Sequence, residues 1–462
     1  MTLQDVRKRV RHRSSHALIL TGKSLSLTLV TILLFSYLSL LYLTGLKTHP
    51  LDVDEYIFTQ KSYFFDLFVQ RKFSDWRWYY SNSSAQPKLG PYIFGITLHL
   101  AGIDNIEQEL IKRGFENTKS KEHWAYRLMN KDLINPPTAI LPQLELIQIN
   151  RYPSVLFSLG ALALTFLITL RIKGLFFAGI ATLLLGTNSL MVLFGKRAMT
   201  DSMQLFFFLL TILLTSLLLN ALEKKNTSRV YLLSVALGMS SAFGTGVKVS
   251  GILNVLFLMI LVLFLLILLR KTKTILITLI TSILIMVVTF AILFIPPHPY
   301  LYQHPIRQFT SMFTRRLVAS DNYMLAFPLS AVHSRSEAIN LVIKNTLFPT
   351  GNYINFRFLF IPLDLTLFSW GFLLVGNQAL NDIVGKKKIT GEVLLITWTL
   401  LVSISLMAYM KNNWPRFYLP TTAAVTFMEA YAISAVVREI VSMSIWRRRT
   451  KKHQPVGLSR EG

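Results

Sequence analysis

Three carboxylates, Asp52, Asp54 and Glu55, stand close together just after the first apolar run of the chain. Clustered carboxylates raise one another's pKa, which can bring one of them to general-base strength near neutral pH, and they can also hold a divalent cation. The same acids would equally favour the positive end of a helix that starts there. Five further stretches carry chemistry-bearing residues. Gln86-Pro87-Lys88-Leu89-Gly90-Pro91-Tyr92 is a fixed turn leading into a short apolar helix, with one lysine at headgroup depth that would also suit a side chain snorkelling to a membrane interface. Lys196-Arg197-Ala198-Met199-Thr200-Asp201 offers a second carboxylate; its spacing also suits a local Arg197–Asp201 ion pair and a helix cap. Gly244-Thr245-Gly246-Val247-Lys248 combines glycines, which let backbone N–H groups approach an anion, with one lysine. In Pro296-Pro297-His298-Pro299-Tyr300-Leu301-Tyr302-Gln303-His304-Pro305, His298 and His304 suit a metal ligand or proton carrier, or merely sit in a rigid proline-rich exit; Arg307, Arg315 and Arg316 follow. Asn412-Asn413-Trp414-Pro415-Arg416-Phe417-Tyr418-Leu419-Pro420 supplies Arg416 beside two aromatic anchors. Glu429 stands alone in an apolar run and needs a partner that the sequence does not name.

These residues are set in a strongly apolar chain. Hydrophobic residues make up 52% of it, charged residues 15%, and the mean hydropathy is +0.47. Soluble domains carry about 25% charge, so this is a membrane protein. Disulfides, zinc-thiolate sites and cysteine nucleophiles are excluded, since cysteine is absent. Ten apolar runs have spanning length, near 24–46, 151–170, 174–194, 201–221, 230–246, 249–269, 274–295, 356–376, 391–409 and 417–437. Residues 91–103 are apolar but too short to cross, which suits an interfacial helix.

The net charge of +25 comes from 48 Lys+Arg against 23 Asp+Glu. About half of the basic residues lie in the termini and in alternate short loops, among them Arg171/Lys173, Lys224/Lys225/Arg229, Arg270/Lys271/Lys273 and Lys386/Lys387/Lys388. The charge is thus a topology signal and not a nucleic-acid signature. It places both termini in the cytoplasm, with two long segments, 47–150 and 296–355, on the opposite face. Three parts follow: a basic N-terminus, 1–23; an all-α, polytopic transmembrane domain of about ten helices, 24–440; and a basic tail, 441–462, whose end reads as disordered.

Taken in order, the motifs resemble the GT-C membrane glycosyltransferases, in the branch of protein O-mannosyltransferases and lipid A aminoarabinose transferases. Carrying the resemblance are Asp54-Glu55 at the start of the first external loop, Gln86-Pro87-Lys88-Leu89, Arg151-Tyr152-Pro153-Ser154, Arg197 to Asp201, Lys248 and Arg416-Phe417-Tyr418-Leu419-Pro420. It departs from the pattern at Lys88 and Phe417. The resemblance implies transfer of a sugar from a polyprenyl-phosphate donor to a glycan, lipid or protein acceptor on the extracytoplasmic face of the plasma membrane. In that frame Asp54 is the general base of an inverting displacement, and Glu55 and Asp201 are its catalytic companions. Lys88, Arg197, Lys248 and Arg416 bind the donor phosphate, where fixed cations in a water-poor site act strongly. Arg151, His298 and Tyr418 are further substrate contacts. No cofactor is required; a divalent metal, if used, falls to Asp54, Asp201 and His298. Two other readings compete. A secondary transporter or lipid flippase would show discontinuous helices or an inverted repeat, neither legible here. A membrane scaffold leaves the clustered charged turns unexplained.

Overall fold

The apolar runs fold as α-helices in the computed structural model, which describes residues 28–80, 84–115, 141–268, 273–348 and 363–452. The basic segment 1–23 and the end of the tail lie outside the described residues. The helices are α1 (Thr28–Leu43), α2 (Val53–Gln60), α3 (Phe64–Val69), α4 (Leu89–Leu100) and α5 (Ile106–Lys112). Then come α6 (Leu141–Lys173), α7 (Leu175–Thr187), α8 (Ser189–Gly195), α9 (Asp201–Glu223), α10 (Thr227–Val247), α11 (Leu253–Leu268) and α12 (Lys273–Phe294). The last five are α13 (Pro305–Ala326), α14 (Arg335–Leu347), α15 (Leu363–Leu380), α16 (Gly391–Tyr409) and α17 (Leu419–Lys452). Among the described residues the only β-structure is one isolated bridge, Ala331 to Asn412.

Six of these helical segments are long and apolar enough to cross a bilayer: Gln143–Lys173, Asp201–Glu223, Thr227–Val247, Val249–Leu268, Ile275–Phe294 and Gly391–Tyr409. A seventh is broken. The run 174–194 folds as α7 and α8, bent by 64° at Asn188. Asn188 has extended backbone angles and its Oδ1 accepts from Leu190 N–H at 3.0 Å, so it ends one helix and caps the next. That discontinuity was not legible in the apolar pattern. The described parts of the runs 24–46, 356–376 and 417–437 fold as α1, α15 and α17, which as described do not reach that combined standard of length and apolarity; residues 24–27 and 356–362 lie outside the described residues. At 12 residues, α4 is too short to cross. The tail departs from expectation: α17 continues to Lys452, because no glycine or proline interrupts the chain between Pro420 and Pro455.

Packing depends on close approach, since helices in lipid gain little from hydrophobicity alone. α10 lies between α9 and α12, α9 against α6, and α17 against α7 and α15. A Cβ at Gly371 would meet the Met428 backbone, so α15 and α17 touch backbone to backbone. The largest apolar core runs through α6, α7, α9, α16 and α17. At one end of the bundle α4 sits across the turn before α9: a Cβ on Gly90 would come within 2.5 Å of Thr200 Cγ2.

Candidate active site

The charged turns converge at that end, starting from the first turn of α2. Asp52 is its N-cap, its side chain accepting from Asp54 N–H at 3.0 Å while Glu55 Oε2 accepts from Asp52 N–H at 3.0 Å, a reciprocal capping box. Glu55 is fully buried. Its oxygens also accept from Arg151 Nε at 2.8 Å, Arg151 Nη2 at 2.9 Å and Ala198 N–H at 2.8 Å. A carboxylate has about four acceptor positions, and all are taken. Arg151, equally buried, donates further to the carbonyls of Leu46 at 2.7 Å and His49 at 3.0 Å. Ser154, on the same helix, donates to Met199 O at 3.0 Å and accepts from Met199 N–H at 3.3 Å. The Arg151–Ser154 element therefore clamps the loop after α1, the start of α2 and the turn before α9 together. Two of the residues expected at the site are thus placed in its framework. Glu55 has no acceptor position left for a substrate, and Arg151 no exposed surface to meet one; both hold the frame.

Within that frame stand three carboxylate–cation pairs. Arg197 Nη1 lies 2.5 Å from Asp52 Oδ2, Lys248 Nζ lies 2.6 Å from Asp201 Oδ1, and Arg416 Nη1 pairs with Asp54 Oδ2. The predicted local Arg197–Asp201 pair does not form, because each partner finds an opposite charge from another part of the chain. Lys248 and Arg416 both flank the Phe417 ring, at 5.7 and 5.4 Å from its centroid, and Arg416 also lies 4.5 Å from the centre of Trp414. Asp52, Asp54, Arg197, Lys248 and Arg416 keep part of their side chains exposed, unlike Glu55 and Arg151. Asp201 is nearly buried at the first turn of α9. Asp52 is the member that sequence reasoning left out of the site. An acid there suits the positive end of a starting helix, and its second role needs Arg197 from 145 residues away.

Lys88 and His298 are brought beside this group but turned inward. His298 Nε2 accepts from Lys88 N–H at 3.0 Å, and its Nδ1 donates to Phe294 O at 2.5 Å. Burial pushes the imidazole down to about 3; the Phe294 carbonyl opposes this and the Lys88 charge adds to it. Lys88 is fully buried at the N-cap of α4, with Nζ 4.3 Å from the centre of the Phe64 ring. Burial, and secondarily Lys61, holds its ammonium well below the ordinary lysine range. As placed, Lys88 offers no surface to a phosphate, in contrast to the expectation. The three residues named for a metal are engaged with other groups as well. Asp54 faces Arg416, Asp201 faces Lys248, and both ring nitrogens of His298 are engaged. Among the described residues no three His, Cys, Asp or Glu side chains converge on a metal position. Tyr418 is buried in the turn Pro415–Tyr418, its hydroxyl donating to Asn413 Oδ1 at 2.6 Å.

Three comparisons bear on this arrangement. Residues 149–311, which carry Arg151, Arg197, Asp201, Lys248 and His298, match the family model described as dolichyl-phosphate-mannose-protein mannosyltransferase. No curated protein matches the chain. Among solved structures, ArnT from Cupriavidus metallidurans bound to undecaprenyl phosphate aligns with a TM-score of 0.53 at 12% identity, over 90% of this chain and 63% of its own. The Archaeoglobus fulgidus oligosaccharyltransferase in its apo form aligns with a TM-score of 0.51 at 12% identity, over 91% of this chain and 52% of its own. The chain therefore spans about 63% and 52% of the lengths of these two proteins. At that identity the likeness is one of architecture: the helical arrangement of the described residues is the fold shared with these two proteins.

Proposed function

We propose that this chain is an integral-membrane glycosyltransferase that moves a sugar from a polyprenyl-phosphate donor to an acceptor hydroxyl. The observation that carries the reading is the group of three carboxylate–cation pairs, drawn from four separate turns and partly open. A donor of this type meets the enzyme at membrane depth and leaves as a phosphate monoester. Charge building on its bridging oxygen needs fixed cations, and Arg416, Lys248 and Arg197 are the ones with exposed surface. The acceptor oxygen attacks the anomeric carbon as the bond to the phosphate oxygen breaks. The bonding electrons leave with the polyprenyl phosphate, and the acceptor proton passes to Asp54. A single displacement inverts the anomeric centre.

The pairing suggests how the steps are ordered. Without donor, Arg416 occupies Asp54. An arriving phosphate competes for that guanidinium and so releases the base where the leaving group has just been bound. Asp201 keeps Lys248 in place from the first turn of α9. Glu55 and Arg151 fix the frame. In this reading the protein sits in the plasma membrane, and the distribution of basic loops supports an orientation with both termini cytoplasmic and the site on the outer face. The match to the mannosyltransferase family model and the lipid phosphate named with ArnT support the donor class. The test is to incubate purified protein with a panel of polyprenyl-phosphate sugars and lipid, glycan and peptide acceptors, and to read products by mass spectrometry. Transfer from at least one donor is expected. Binding without transfer across the panel, or transport of the lipid between leaflets instead, would overturn the assignment.

A further inference from the structure

Glu429, the isolated acid of the last apolar run, lies on a second site. A cavity of about 240 Å³ opens beside the turn that carries Arg416. Its walls include Asn188 at the α7–α8 break, Asp364 at the start of α15, Asn413 and Tyr418 of the turn, and Thr422 and Glu429 of α17. Thr422, Thr426 and Glu429 recur at helical spacing and share one face of α17. Glu429 lies ten residues past Leu419, about 15 Å along the axis at about 1.5 Å per residue.

Three features describe the occupant. First, among the described residues the walls hold two carboxylates and no Lys, Arg or His, so an anionic phosphate is disfavoured. Second, acceptors go unused: among the described residues Glu429, 4% exposed, makes no hydrogen bond or ion pair, and the hydroxyl of Thr422, 5% exposed, has no partner. Leaving such groups dry is costly, most of all for a charge. Third, the space would hold roughly eight waters at about 30 Å³ each, more than a coordinated ion needs and suited to one ring. A neutral, hydroxyl-rich ring supplies donors to both carboxylates and to Thr422.

We infer that this cavity binds a single glycosyl ring of the substrate, with Glu429, Asp364 and Thr422 accepting its hydroxyls. The inference rests on the transferase reading and divides it by charge. The Pro415–Tyr418 turn sends Arg416 into the cationic group that takes phosphate and lines the anionic cavity with Tyr418. Glu429 and Thr422 are specificity residues, outside the reacting atoms.

The test uses the full chain in lipid nanodiscs free of glycoside detergents, titrated with methyl mannoside, methyl glucoside and methyl galactoside. Calorimetry and saturation-transfer NMR give the affinities, and a short polyprenyl phosphate is titrated in parallel. At least one glycoside should bind saturably. Its Kd should rise about tenfold or more in Glu429→Gln, as expected for a lost charge-assisted hydrogen bond, and about two- to tenfold in the near-isosteric Thr422→Val, as expected for a lost neutral one, with polyprenyl phosphate affinity unchanged. No glycoside binding, or binding indifferent to both substitutions, would overturn the inference while leaving phosphate binding and transfer to judge the transferase reading separately. Loss in Glu429→Gln of calcium or sodium binding, with glycoside affinity intact, would overturn it too.

Discussion

Glu55→Gln separates framework from chemistry most sharply. Glu55 satisfies four donors, two of them on the Arg151 guanidinium, and both side chains are fully buried. A glutamine keeps one oxygen, turns an N–H₂ group toward the remaining donors, and leaves the arginine charge uncompensated. Breaking one partner of a buried pair costs about 3–5 kcal/mol. The Asp54–Arg416 pair is partly exposed, and pairs of that kind contribute only about 0–1 kcal/mol. Urea or SDS unfolding of nanodisc-extracted protein, followed by tryptophan fluorescence, should therefore show Glu55→Gln far less stable than Asp54→Asn. Replacing both partners, Glu55→Gln with Arg151→Met, should recover much of the loss, because removing the second charge also removes the desolvation penalty. A Glu55→Gln protein within about 0.5 kcal/mol of wild type, or a double variant as unstable as the sum of the singles, would refute the keystone role.

Three other outcomes are expected. Lys248→Met should raise KM for the lipid-linked donor about tenfold or more while leaving acceptor affinity unchanged, since a lost charge-assisted contact is worth about 1.5–3 kcal/mol; steady-state kinetics over donor concentration read this. Gly90→Ala should lower stability by about 1–3 kcal/mol through collision with Thr200 Cγ2, and Thr200→Ser, which removes that methyl, should restore part of it in the same unfolding assay. His298 is held neutral to about pH 3 in the folded chain, against an ordinary value of 6.5. Between those values the unfolded chain binds the extra proton, so stability is full above 6.5 and falls by about 1.4 kcal/mol per unit as pH drops toward 3. Denaturation curves at pH 7 and pH 5 should differ less in His298→Asn than in wild type.

The architecture was largely legible because it is written in run length and local charge. Seven of the ten apolar runs appear as helices or a helix pair of spanning length and apolarity, and the shortness of 91–103 pointed correctly to the brief helix α4. The break at Asn188 escaped because apolar residues continue on both sides and only one side chain makes the cap. The site's membership was legible in part, its pairing hardly at all. Spacing suggested Arg197 with Asp201, yet the fold gives Arg197 to Asp52 and Asp201 to Lys248. Residue type cannot tell a buried Arg151 from a partly exposed Arg416; only the environment does. The same holds for His298, whose two nitrogens are absorbed in anchoring Lys88 and capping α12. Glu429 stood out as costly, and its cavity emerges only when α14, α15 and α17 are assembled around the Pro415–Tyr418 turn.

The role of Asp54 can be tested by one comparison of wild type and Asp54→Asn, each in nanodiscs with an isotope-labelled polyprenyl-phosphate sugar and acceptor, measuring both donor bound and product formed. If Asp54 is the base and Arg416 is the phosphate contact it restrains, the variant should bind donor at least as well as wild type. Its turnover should fall by about 10²–10⁴-fold, the range a lost general base commands. Near-normal turnover by a folded Asp54→Asn protein would contradict that role and remove the paired carboxylates from the chemistry.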